Sequence, residues 1–170
     1  MKFRHMAVAF LINEMGQILF LQKGANSSFL AGHLVPIGGH IEENEMSLPI
    51  EACIREIKEE TGLNISDISN LKLRYIVMRI KDVREVRTQY VFFGEVKGAA
   101  KLTESEEGSL SWIDFDKIPK HNVSATTKEI VSHYKALDMP TEKVFVGAMK
   151  SNKGNPQITW SLLEDWERTY

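Results

Sequence analysis

GGHIEENEMSLPIEACIREIKEETGL, residues 38–63, is the stretch whose reading decides the fold. It leads from a glycine pair into a segment of helical periodicity with three carboxylates on one side. Glu56, Glu59 and Glu60 stand at i, i+3 and i+4, and at roughly 100° per residue they share an arc of about 100°. Like charges at that spacing repel on a bare helix. A divalent cation turns the repulsion into a binding site. Mg²⁺ suits such a place, because it takes hard oxygen ligands, keeps several waters and shares its shell with substrate phosphates. The backbone carbonyl of Gly38 is a further candidate ligand, since glycine lets a backbone approach an ion closely.

The same helix has a second face. Ile50, Cys53, Ile54 and Ile57 form an i, i+3, i+4, i+7 stripe that packs on a sheet, about 125° around the axis from the centre of the carboxylate arc. Ser47 is the expected N-cap, Pro49 fits the first turn, and Gly62 is a natural C′ residue. The carboxylates are thus expected on a buried, rigid mount at the edge of a cleft.

The segment resembles the Nudix box, the signature of the Nudix hydrolases: G, five residues, E, seven residues, R-E, an aliphatic, any residue, E-E, any residue, G, an aliphatic. Gly39 is followed by five residues and Glu45, and Arg55 to Leu63 matches at every specified position. Nine residues rather than seven separate Glu45 from Arg55. This reads as a two-residue insertion within residues 46–48, and it leaves open whether Glu45 still braces the loop as in the family. The resemblance implies an α+β fold, a mixed sheet in an α/β/α sandwich with the box as a loop-helix-loop at the sheet's end. It also implies Mg²⁺, with Mn²⁺ as an alternative. Glu59 and Glu60 are the expected direct ligands, Glu56 a ligand or an organiser of metal-bound water, and Arg55 the residue that orients the box. A downstream acid is implied as well. Glu104, Glu106 and Glu107 lie in a suitable loop, and Glu107, nearest the next strand, is favoured.

Acidic patterns of this kind are common on solvated helix faces. Here the glycine pair, the Gly62-Leu63 ending and a position after three strands set the segment apart. Residues 6–12 and 18–22 read as a hairpin turning through Gly16, and residues 33–37 as a third strand. Residues 23–32 are a loop. Residues 71–80 and 86–96 form a second antiparallel pair, residues 103–108 an acidic loop and residues 110–113 a short strand. A helix spans 124–137 with Ile130, Val131 and Tyr134 inward. Residues 143–149 and 157–162 make a terminal hairpin. One domain, 1–170, is expected, with 140–170 as a β-hairpin extension that is extra sheet or a dimer contact rather than a flap.

At 170 residues and 19.4 kDa the chain has room for one well-buried domain. A net charge of −2 gives no global attraction for nucleic acid or anionic membrane. The apolar run at 6–12 is too short to span a bilayer and lacks a cleavage site. The single Cys53 cannot form an internal disulfide, and it reads as a small buried hydrophobe in a cytoplasmic protein.

Hydrolysis of a phosphoanhydride needs crowded oxygens neutralised and a water of lowered pKa, and metal ions supply both. Lys23, at a strand end, is the expected phosphate contact. Arg79, Arg84 and Arg87 are further candidates for phosphate contact, with surface charge as the default for each. Phe29 and Tyr75 are candidates to stack on a base, with core packing as the default, and His33 and His40 read as loop residues. The expected function is Mg²⁺-dependent hydrolysis of a nucleoside diphosphate linked to another group, first a nucleoside triphosphate cleaved to monophosphate and pyrophosphate. A nucleotide-sugar or ADP-ribose pyrophosphatase is the alternative within that chemistry. A non-catalytic nucleotide sensor is the alternative outside it. The expected partner is a small-molecule nucleotide.

Overall fold

A computed structural model describes residues 1–24, 30–98, 100–103, 105–137, 142–165 and 167. The strands are β1 (Lys2–Ile12), β2 (Gln17–Lys23), β3 (Leu34–Val35), β4 (Ile37–His40), β5 (Ile68–Lys81), β6 (Glu85–Val96), β7 (Gly108–Asp114), β8 (Val144–Asn152) and β9 (Asn155–Leu163). Two helices join them, α1 (Pro49–Thr61) and α2 (Ala125–Ala136). Along the sheet the order is β3-β2-β1-β6-β5-β8-β9, with β4 also on β1 and β7 on β2. β1 runs parallel to β6 and β5 parallel to β8, while the other pairs are antiparallel, so the sheet is mixed.

Both faces of β1 are buried, which is why its apolar residues run on without polar alternation. Ala7, Ala9 and Leu11 face one core with Cys53 and Ile57 of α1. Val8 and Phe10 face the other with Phe93, Tyr75 and Ile130 and Val131 of α2. Tyr134 of α2 stacks on Phe93 with ring centroids 3.9 Å apart. This is the expected α/β/α sandwich. Each large apolar side chain sealed this way contributes about 1.5–3 kcal/mol. Tyr75 is fully buried and offers no stacking surface. Phe29 lies outside the described residues.

How β2 leaves β1 decides where the site forms. The two pair at Ile12 and Ile18 beside the turn, after which β2 runs along β7. The vacated side of β1 is taken by β4, with Met6 opposite His40 and Val8 opposite Gly38. The glycine pair is therefore part of a strand and does not follow one, and His40 is a strand residue, not a loop residue. Gly38 has φ 141°, and a Cβ there would lie 2.2 Å from the Ala7 carbonyl oxygen. Only glycine allows β4 to come this close.

α1 starts without the expected side-chain cap. Leu48 occupies the N-cap position, not Ser47, and Pro49 opens the helix with its missing N–H where no partner was needed. The helix ends as expected at Gly62, with φ 75° and its N–H donating to the Lys58 carbonyl. At the other end of the chain β8 and β9 extend the sheet from β5, and Phe145 and Trp160 pack on Tyr75. Among the described residues no helix is long and apolar enough to cross a membrane.

Candidate metal and phosphate site

α1 is rotated further toward its acids than the apolar stripe implied. Its buried residues are Ala52, Cys53, Ile57, Glu60 and Thr61, whereas Ile50 and Ile54 are only partly covered. The cause lies in β4 beneath it, where Gly38 and Gly39 present no side chains. A Cβ on Gly39 would sit 2.5 Å from Glu56 Oε1, so the carboxylate fills the space a side chain would take. Glu60 is 3% exposed, and the Gly38 N–H donates to its Oε2 at 2.8 Å. The side-chain contact described at Gly38 is made by its N–H.

Arg55 ties the rest together. Its Nε–H donates to Glu45 Oε1 at 2.9 Å and its Nη2 to Glu45 Oε2 at 3.0 Å. Nη2 also reaches the His40 carbonyl at 3.0 Å, and Nη1 reaches Glu56 Oε1 at 2.8 Å and Glu59 Oε2 at 3.3 Å. These contacts match the five N–H donors that a guanidinium has. Glu45 is 6% exposed and keeps a bracing position despite the shifted spacing. It ends a short 3₁₀ turn, Glu43–Glu45, and the Leu48 N–H bonds back to its carbonyl, so residues 46–48 are taken up in a turn. Met46 and Leu48 stay exposed there. The Arg55 hydrogen bonds, and then the Glu42 N–H, hold the Glu45 carboxyl below its ordinary range.

Lys23 and Glu107 come in from across the sheet. Their side chains form an ion pair, and Lys23 Nζ lies 3.9 Å from Glu60 Oε1. Glu106 is exposed, and Glu104 lies outside the described residues. Burial pushes the Glu60 carboxyl up to about 7; the Gly38 N–H and Lys23 oppose the rise and the Glu107 and Glu56 charges add to it. Burial raises Glu56 too, against Arg55.

Glu56, Glu60, Lys23 and Glu107 line one end of a cleft of about 390 Å³, with Met6 and Val8 among the apolar residues lining it. Glu59, with 58% of its side chain exposed, stands outside that lining. The far end carries two arginines for which surface charge was the default expectation. Arg79 of β5 and Arg87 and Gln89 of β6 line it, and Thr126 and Thr127 of α2 also belong to the cleft lining. Arg87 is 7% exposed, so it is not the surface charge expected, and Arg79 is half-buried. Strand parity was the available signal, because Arg79 shares a face with buried Tyr75 and Val77. Arg84 is exposed in the turn, as expected. None of the described residues of β8 or β9 lines the cleft.

Among the described residues five carboxylates, Glu45, Glu56, Glu59, Glu60 and Glu107, share two cations, Lys23 and Arg55, in ion pairs. This surplus of hard oxygen donors fits a divalent cation. Among the described residues no three acids already meet at one point as a ready cage; Arg55 and Lys23 hold them instead.

The NUDIX domain family matches residues 2–134. Among solved structures, the MutT protein from Methanosarcina mazei Go1 is 23% identical with a TM-score of 0.69, covering 82% of this chain and 97% of that one. The mutator MutT protein from Bacillus halodurans is 21% identical with a TM-score of 0.66, covering 94% and 97%. An Ap4A hydrolase from C. elegans is 17% identical with a TM-score of 0.61, covering 77% and 96%. At these identities the likeness is one of fold. No curated protein matches the chain.

Proposed function

Because the chain belongs to the NUDIX family and is a hydrolase of pyrophosphate bonds, we propose that it cleaves a nucleoside triphosphate to monophosphate and pyrophosphate with Mg²⁺. The single observation that carries the reading is the buried Glu60 carboxylate, set with Glu56, Lys23 and Glu107 at one end of a cleft. Glu56, Glu59, Glu60 and the Gly38 carbonyl are the groups that would hold the metal. When bound, Mg²⁺ supplies charge to the phosphoryl oxygens and a water of lowered pKa.

The chain's own residues have separable tasks. The Gly38 N–H fixes one oxygen of Glu60 at 2.8 Å and so aims the carboxylate. Arg55, itself at the cleft wall, holds Glu56 and Glu59, and its two hydrogen bonds to buried Glu45 fix its position. Lys23 offers an ammonium to a phosphate as a point charge. Of Glu56, Glu60 and Glu107, Glu107 has the most exposed side chain, at 56%, which suits it to take a proton from the attacking water. Buried, unpaired Cys53 accords with a reducing, cytoplasmic setting.

A product assay tests this across nucleoside triphosphates, a nucleotide-sugar and ADP-ribose, with Mg²⁺ and with Mn²⁺. The expected products are monophosphate and pyrophosphate from a triphosphate. Preferred cleavage of the sugar-linked compounds replaces the substrate, and nucleotide binding without turnover in either metal makes the chain a sensor.

A further inference from the structure

Opposite the carboxylates, the cleft is built from charge of the other sign. Arg4, Arg87 and Arg79 stand in one row across β1, β6 and β5, since Arg4 is opposite Arg87 and Arg87 opposite Arg79. Among the described residues one carboxylate forms ion pairs with that row, and Arg4 Nε, like Arg79 Nε, is buried without a hydrogen bond. Glu85 Oε1 accepts from Arg87 Nε at 2.5 Å, and Arg4 Nε lies 3.4 Å from Glu85 Oε2. Arg79 is left over. Its Nε is buried with no hydrogen-bond partner among the described residues, and it makes no ion pair among them. Burial, and then the Arg87 charge, press its proton affinity down, which is how a guanidinium short of an acceptor responds.

A buried donor without an acceptor costs the fold stability. An anion in the cleft removes that cost, and two adjacent guanidinium groups match the oxygens of a phosphoryl group better than any neutral sugar hydroxyl. The arginine row and the row holding Gly38 are four residues apart along β1, about 13 Å at the strand rise. Arg79, Arg87 and Glu56 and Glu60 of α1 nevertheless line the same cleft.

We propose that Arg79 and Arg87 form a second anion site, which takes a phosphoryl group of the substrate lying outside the two that flank the cleaved bond. The chain then selects polyphosphate substrates over diphosphates that end in a neutral sugar. This inference rests on the hydrolase reading of the carboxylate end. It adds a reason for preferring triphosphates that the carboxylates themselves do not contain.

The test compares kcat and KM for a nucleoside triphosphate and a nucleoside diphosphate sugar in the wild type, Arg79→Met and Arg79→Lys. Arg79→Met is expected to raise KM for the triphosphate about tenfold or more, to leave kcat within about threefold, and to move KM for the sugar compound less than about twofold. Arg79→Lys should recover part of the loss, and Arg79→Met should melt no lower than the wild type. An equal KM change for both substrates, no change for the triphosphate, or a fall in melting temperature without rescue by lysine overturns the proposal. Should Arg79→Met fail to fold, Arg79→Lys carries the same substrate comparison. If the wild type cleaves neither compound, the hydrolase reading fails by itself. Calorimetry with inorganic tripolyphosphate in metal-free buffer then decides: binding about tenfold weaker in Arg79→Met, or a smaller loss in Arg79→Lys, supports the anion site, and binding equal to the wild type refutes it.

Discussion

The two ends of the cleft are finished to different degrees. At one end Arg55 engages three carboxylates and a carbonyl, and the buried Glu60 is fixed by a backbone N–H. At the other, Arg79 Nε is buried without a partner among the described residues. The first end is a scaffold in which fixed acids await a cation, and its internal bonds serve stability and function together. The second is complete only when an anion arrives. Removing a charge should therefore act differently at the two ends, on turnover or stability at the first and on substrate binding alone at the second.

The largest effect is expected from Glu60→Gln. The change is nearly isosteric, keeps an acceptor for the Gly38 N–H and removes the charge, so kcat should fall about 100-fold or more with the circular dichroism spectrum unchanged. Near-normal turnover at saturating Mg²⁺ would break the assignment of function to this end. Next comes Gly39→Ala. Its Cβ would land 2.5 Å from Glu56 Oε1, so the carboxylate must move, and kcat/KM should drop about tenfold in a folded protein. Unchanged kinetics would mean that the position of Glu56 is not critical.

Stability sharpens the contrast. Arg55→Met leaves buried Glu45 without its partner and should cost about 2 kcal/mol in urea denaturation, a figure reduced for the partial exposure of the arginine. Arg79→Met should cost nothing. Equal losses at both positions would erase the distinction between the two ends.

The smallest effect concerns pH. Glu60 has its folded pKa raised to about 7 from an ordinary 4.5. The folded state therefore holds this proton more tightly than the unfolded state. Metal-free protein should be most stable, as far as this group contributes, below about pH 4.5, and should lose that contribution as pH rises through about 7. Glu60→Gln should flatten melting temperature against pH over that window. A slope that survives the substitution would assign the titration to another group.

Much of the carboxylate end was legible because helical spacing alone puts Glu56, Glu59 and Glu60 on one side. Spacing could not rank them. Glu60 is buried and Glu59 exposed because the side-chain-free strand of Gly38 and Gly39 lies under one edge of the helix, a fact of tertiary packing. Glu45 was hard to place for a related reason: counting residues to Arg55 treats the loop as uniform, whereas a 3₁₀ turn and the Glu45–Leu48 hydrogen bond shorten it. The fold was readable from alternating strands and turn residues, yet the insertion of β4 beside β1 depends on β2 turning away to β7, which no local pattern records. Arg79 and Arg87 carried a readable signal in strand parity. Their charge argued for the surface and obscured it.

The most direct test of the account is Mn²⁺ binding to the intact chain, followed by electron paramagnetic resonance as free Mn²⁺ disappears. The wild type should bind Mn²⁺, Mg²⁺ should compete for the same site, and Glu60→Gln should weaken binding about tenfold or more while Arg79→Met leaves it unchanged. Equal Mn²⁺ affinity in the wild type and Glu60→Gln would contradict a divalent-cation site built on the acids of α1.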